Sequence, residues 1–269
     1  MKFTSHQRAG VRLRVAETGA GPAMIFQHGL CGDAGQPLDV FPSEEGWRCI
    51  TLECRGHGGS DAGAGDNFSI AAFANDLIAL IEARALAPVA LGGISMGAAI
   101  GLRIAAKRRD LVKALALVRP AWLDAAAPDN MEPNALVGDL MRRFAPAQAR
   151  ERFEALEIVQ RLQRDAPDNL ASLRGFFARQ PIAVTRELLC RVSADGPGVS
   201  ADEIAALRVP ALVVGCGRDF IHPLALAQAL AARIAGARFV EVAAKADYPQ
   251  RYRDETRSAL ANFLTETNR

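Results

Sequence analysis

Apolar and polar residues alternate through "VRLRVAETG", residues 11–19, which predicts a strand with one buried face. Later runs behave differently. "AMIFQHG", "WRCITLECRGHG", "APVALGGISMG", "VKALALVRP" and "VPALVVGCGRD" each run apolar and then stop at turn-forming or charged residues, and "ARFVEVAAK" ends the series. Short apolar runs closed in this way predict parallel strands buried on both faces. Between them lie segments of helical character at 70–84, 97–108, 224–234 and 255–264. Strand and helix alternation predicts a doubly wound, mostly parallel α/β sheet. The opening "MKFTSHQRAG" reads as an N-terminal arm.

One region breaks the alternation. From about residue 123 to 207 there is no convincing strand, only amphipathic helical patterns such as "NALVGDLMRRF", "ARERFEALEIVQRLQ" and "NLASLRGFF". Turn signals, "APDN", "DAPDN" and "DGPG", separate them. A stretch of this length is too long for a loop. The expected division is a core from 1–122 and 208–269, with a helical cap at 123–207 over the open strand ends.

Composition narrows the partners. The chain has 269 residues, half of them apolar, enough for one well-packed core. A net charge of +2 gives no electrostatic case for nucleic acid or an acidic membrane. No apolar run reaches the roughly 18 residues of a membrane span, and the first ten residues lack a signal-peptide core. Five cysteines, without a CxxC pair, fit a reduced cytoplasmic protein lacking disulfides and zinc.

The strongest chemical signal is Gly93-Ile94-Ser95-Met96-Gly97, set between an apolar strand and a helix. G-x-S-x-G in that setting is a nucleophile elbow, a sharp turn that lifts the serine hydroxyl above the sheet edge. Small residues two positions to either side let the backbone bend. A second element, "FQHGLCGD", ends a strand and turns at His28-Gly29. There the N–H of Leu30 can point inward, and the N–H of Met96 is the other candidate oxyanion donor. Each such donor is typically worth about 3 kcal/mol of barrier.

Taken in order, "HGLCGD", "CRGHGGSD", "GGISMG" and "VGCGRDFIHP" resemble the α/β-hydrolase superfamily over nearly the whole chain. The resemblance implies the order serine, acid, histidine. Ser95 matches the nucleophile and Asp219 the acid. The histidine is expected after the last strand, in "AAKADYP", where Asp247 stands instead.

Without a base, a serine hydroxyl is a poor nucleophile. Four histidines are available: His6 in the arm, His28 and His57 in turns that favour structural roles, and His222 before a proline and a helix. His222 is the candidate base, because its strand should neighbour the last strand and adjacent strands lie about 4.8 Å apart. The alternative is a helix cap or a pocket-lining residue. Asp219 is the favoured acid partner, Asp124 the other. Lys245 reads as solvated or ion-paired, and the carboxylate of Asp247 is a weak base for a serine at neutral pH. Arg119, Trp122, Asp124 and His28 are candidate substrate-binding residues; Arg119 either grips a substrate anion or pairs with Asp124 or Asp129. Cys31 reads as a small buried residue.

The expected function is therefore cleavage of a small carboxylic ester, lactone or related acyl compound through an acyl-enzyme, without metal or organic cofactor. The expected partner is a small acyl molecule rather than nucleic acid or membrane, with a homodimer left open. Two alternatives stand: a lyase or transferase on the same fold, and a silent small-molecule-binding protein that lost its base.

Overall fold

The structure, a computed structural model, describes residues 1–63 and 67–268. Eight strands form one sheet: β1 (Lys2–Arg8), β2 (Val11–Thr18), β3 (Ala23–Gln27), β4 (Arg48–Leu52), β5 (Val89–Ile94), β6 (Val112–Val118), β7 (Ala211–Cys216) and β8 (Arg238–Val242). Their order across the sheet is β1-β2-β4-β3-β5-β6-β7-β8. Only β2 opposes its neighbours; from β4 onward every pairing is parallel. The α/β class read from the alternation is the class observed.

The helices are α1 (Gly35–Leu38), α2 (Ile70–Ala83), α3 (Met96–Lys107), α4 (Glu132–Arg143), α5 (Pro146–Glu154), α6 (Glu157–Asp165), α7 (Pro167–Phe176), α8 (Ile182–Ser193), α9 (Ala201–Ala205), α10 (Leu224–Arg233) and α11 (Pro249–Thr267). The period of two along each strand sends alternate side chains to opposite faces. Leu115 and Leu117 of β6 join a core with Phe73 of α2, Ile100 of α3 and Leu230 of α10. Ala114, Ala116 and Val118 turn the other way, toward Phe41 and the Leu260, Phe263 and Leu264 stripe of α11. Covering both faces is what allows the central strands to be apolar throughout.

Helices α4 through α9 form the insertion between β6 and β7. It has its own core, including Val137, Phe153, Leu162, Leu173, Phe177 and Leu189, and Leu30, Cys31 and Phe220 pack against that core. The insertion therefore rests on the loops that follow β3 and β7.

Three expectations are corrected. The N-terminal arm is β1, paired with β2 along its whole length from Lys2–Glu17 to Arg8–Val11. It escaped notice because most of its side chains are exposed, which erases the alternation. The hairpin turns at Ala9 and Gly10, with φ of 47° and 75°, the left-handed pair of a tight two-residue turn. "ARERFEALEIVQRLQ" is two helices, broken at Leu156, whose extended backbone (φ −84°, ψ 145°) lets Phe153, Val159 and Leu162 reach one core. The last helix starts earlier than expected, with Pro249 in its first turn.

Glu53, fully buried after β4, ties this frame together. It accepts from Arg14 Nε (2.6 Å) and Nη2 (2.8 Å), Ala34 N (3.1 Å) and Gly59 N (2.6 Å). Glu53→Ala leaves a guanidinium and two amides without their acceptor. The expected loss is about 3–5 kcal/mol in urea unfolding; a loss below about 1 kcal/mol would contradict this role.

Candidate active site

Loops leave the C-terminal ends of the six parallel strands, where open α/β sheets place their ligands. After β5 the chain turns at Ser95, whose φ of 56° and ψ of −110° lie far from ordinary conformations for a non-glycine residue. Such strain costs about 1–3 kcal/mol and persists only where its surroundings enforce it. Here the enforcement is backbone contact. A side-chain carbon on Gly93 would sit 2.6 Å from the Gln27 carbonyl oxygen, and one on Gly97 would overlap that same carbonyl. The Ser95 N–H donates to Val118 O at 3.0 Å, and α3 begins at the next residue.

His222 reaches Ser95 from the β7–α10 loop. Its Nε2 lies 2.8 Å from Ser95 Oγ. Its Nδ1 lies 2.9 Å and 3.1 Å from the two Asp219 carboxylate oxygens. The same carboxylate accepts the His222 backbone N–H at 3.0 Å, a bond three residues back along the chain. Asp219 is fixed from its other side by Arg119 Nε at 2.6 Å. With Nδ1–H donated to a carboxylate, Nε2 is the bare nitrogen that faces the hydroxyl.

Asparagines from the insertion shape this short loop. Asn169 Oδ1 accepts from Phe220 N (2.7 Å) and Ile221 N (3.0 Å). Asn130 Nδ2 donates to Ile221 O (2.7 Å) and Ala121 O (2.9 Å). Pro223 is the N-cap of α10, so His222 stands one position outside the helix end.

Burial shifts the titrating groups. It pushes the Asp219 carboxyl up, but Arg119 and His222 outweigh it and hold the group well below the usual carboxylate range. Burial lowers the basicity of His222; Asp219 opposes that shift and Arg119 adds to it, and the ring ends below its ordinary value. It is therefore neutral at neutral pH and able to accept a proton.

The loop after β3 presents four successive amides. Gly29 N donates to Gln36 Oε1 (2.6 Å), Cys31 N to His57 Nε2 (3.0 Å) and Gly32 N to Gly29 O (3.0 Å). Leu30 N–H has no acceptor among the described residues, and Leu30 lines the cavity. Met96 N–H is the first of α3, where the helix supplies no partner. The cavity has a volume of about 340 Å³ and is walled by Ser95 and His222 on one side and by α4 and α7 on the other.

Several expected binding residues lie elsewhere. His28 is buried outside the cavity, with Nδ1 donating to Gly29 O (2.8 Å) and Nε2 accepting Cys54 N (3.0 Å). Trp122 is buried, its indole N–H donating to Asp195 O at 2.9 Å. Asp124 pairs with Arg233 at 3.0 Å and does not line the cavity. The last two corrections share a cause: the chain following β6 turns at Arg119 (φ 46°), and neither Trp122 nor Asp124 lines the cavity. Arg119 does line the cavity, paired with Asp219 and Asp168 instead of Asp124 or Asp129. Lys245 pairs with Asp168 at 3.0 Å, and Asp247 with Arg218. Cys31 lines the cavity, but burial pushes its thiol up to about 12. His57 bonds Arg55 O at 2.9 Å and holds the Cys31 amide, and His6 lies on β1. Among the described residues no cluster of three His, Cys, Asp or Glu is placed to hold a metal ion.

Sheet order, elbow and loop placement define an α/β hydrolase fold. The chain belongs to that family: the model of the alpha/beta hydrolase fold matches residues 22–249. The structure of an enol-lactonase from Burkholderia xenovorans LB400 is similar, with 24% identity, 97% of this chain and 100% of that chain covered, and a TM-score of 0.72. A thermophilic esterase from Thermogutta terrifontis is similar at 24% identity, covering 100% of this chain and 99% of that chain, with a TM-score of 0.75. Among curated proteins, a pyrrolizixenacetamide deacetylase of Xenorhabdus hominickii is 24% identical over 229 residues, 83% of this chain and 84% of its own.

Proposed function

We propose that the protein is a serine hydrolase that cleaves a small carboxylic ester, lactone or related acyl compound through an acyl-enzyme. The observation that carries this reading is the Ser95–His222–Asp219 chain of contacts at 2.8 Å and 2.9 Å, set on a strained elbow that opens into a cavity. A relative named as a deacetylase adds support from the same broad chemistry.

In this mechanism His222 Nε2 takes the Ser95 proton as Oγ attacks the substrate carbonyl carbon. The imidazolium is stabilised by Asp219, which stays ionised. Charge on the carbonyl oxygen is received by the N–H groups of Leu30 and Met96. Collapse of the tetrahedral species breaks the bond to the leaving group, and His222 returns the proton to it. Water, deprotonated by the same nitrogen, then attacks the acyl carbon and releases Ser95. The 123–207 insertion serves as a cap that limits substrate size and keeps solvent from the reacting centre.

Arg119 has a second effect. Burial makes the base weaker than a free histidine, and the Arg119 charge behind Asp219 opposes the imidazolium and adds to that effect. The rate should stay high to lower pH than an ordinary imidazole allows. On a plot of kcat/KM against pH the acid limb is expected below the ordinary histidine value of 6.5, with activity lost as pH falls through it. A midpoint above 6.5 would contradict the assignment.

A fluorophosphonate probe followed by mass spectrometry tests the nucleophile. Labelling is expected at Ser95 and should slow at least about 100-fold in His222→Ala. Equal labelling of that variant would assign the base elsewhere. Absence of labelling in the wild-type chain would favour a silent binding protein or a lyase.

A further inference from the structure

The charged groups of the cavity wall are not equally neutralised. Arg119 is paired with Asp219 and Asp168, and Lys245 with Asp168. Arg179 is different. It lies between α7 and α8 and lines the cavity. Its partners are all neutral: Cys31 O at 2.9 Å from Nε, Thr185 Oγ1 at 2.9 Å from Nη1 and Gly56 O at 3.1 Å from Nη2. No described carboxylate forms an ion pair with it. These bonds use three of the five guanidinium N–H groups and leave one hydrogen on each terminal nitrogen.

A second, independent feature lies on the same cavity. Asn134, in the first turn of α4, is 6% exposed and lines the cavity. Its Oδ1 is buried with no hydrogen-bond partner among the described residues. Leaving such a group unsatisfied is destabilising, and native proteins do so rarely. A half-turn of the amide plane exchanges Oδ1 and Nδ2 at one place, so this position can donate or accept as a ligand requires. Met131, Leu173 and Phe176 supply apolar wall to the same cavity.

Resting on the acyl-transfer reading, the geometry points to an anion subsite: Arg179 and Asn134 take a carboxylate carried by the acyl compound, on a short hydrocarbon spacer from the carbonyl that meets Ser95. The carboxylate supplies the missing counter-charge to Arg179 and an acceptor for the Asn134 amide, and the apolar wall holds the spacer. A neutral amide isostere can hydrogen-bond to both groups but supplies no counter-charge to Arg179. Sites built around a polar group discriminate strongly against analogues that lack it.

Calorimetric titration with glutaramate and its neutral isostere glutaramide tests the subsite. The wild-type chain should bind glutaramate at least about tenfold more tightly, a preference that Arg179→Gln abolishes while its side-chain amide still reaches Cys31 O. Asn134→Leu should weaken glutaramate binding several-fold and raise Tm by about 2–4 °C, because the unsatisfied polar group is gone. Should Arg179→Gln fail to fold, Asn134→Leu and the wild-type preference carry the test. Equal affinity for the two probes, no binding of either, or a preference unchanged in Arg179→Gln would overturn the subsite. Hydrolysis of para-nitrophenyl acetate, followed separately, reports on acyl transfer: glutaramate preference without hydrolysis would sink that reading alone, and hydrolysis without preference would sink only the subsite.

Discussion

The contact between Asp219 and His222 is the constraint around which the site is arranged. An acid and a base three residues apart seldom meet through the ring, because a short segment ordinarily points them apart. Here the carboxylate accepts both the backbone N–H and the ring N–H of His222, so the loop closes on itself. That closure aims Nε2 at Ser95 and fixes which nitrogen carries the proton. Where the family resemblance places the histidine, this chain has instead a segment bearing Lys245 and Asp247, both engaged in ion pairs.

The closure is held from outside the loop. Asn169 takes the two amides between acid and base, and Arg119 grips the far side of the carboxylate. Asp168 bridges Arg119 to Lys245, so one helix of the insertion touches the acid's partner and the vacated histidine position together. Burial and Arg119 weaken the imidazole as a base, and Asp219 restores part of what they remove. The loop after β3 is governed by the same kind of accounting for hydrogen bonds: Gln36, His57 and Gly29 engage three of its amides and leave Leu30 N–H without an acceptor among the described residues.

Local patterns made much of the fold legible. Buried strands advertise themselves as short apolar runs, and the Gly93–Gly97 elbow as a spacing that few other structures require. Asp219 and His222 were readable as a neighbouring pair, but their meeting with Ser95 depends on which strands adjoin, a property of the sheet and not of any segment. Asn169 and Arg179 carry no local signal, since Asn169 holds Phe220, 51 residues on, and Arg179 reaches back 148 residues to Cys31. Strand β1 lacks a signal for a different reason: its half-buried positions, Thr4 and His6, are polar, so no apolar alternation marks it. Trp122 and Asp124 were drawn to the pocket by proximity in sequence to Arg119, yet the backbone turns sharply at Arg119 (φ 46°) and takes them elsewhere.

The central claim is that His222, oriented by Asp219, presents an unprotonated Nε2 to Ser95 at neutral pH. Nitrogen NMR of selectively labelled histidine reads this directly. The account predicts that the His222 signals, assigned by their loss in His222→Gln, show a protonated Nδ1 and a bare Nε2 in the resting protein. The opposite tautomer, or a ring exchanging freely between the two, would contradict it.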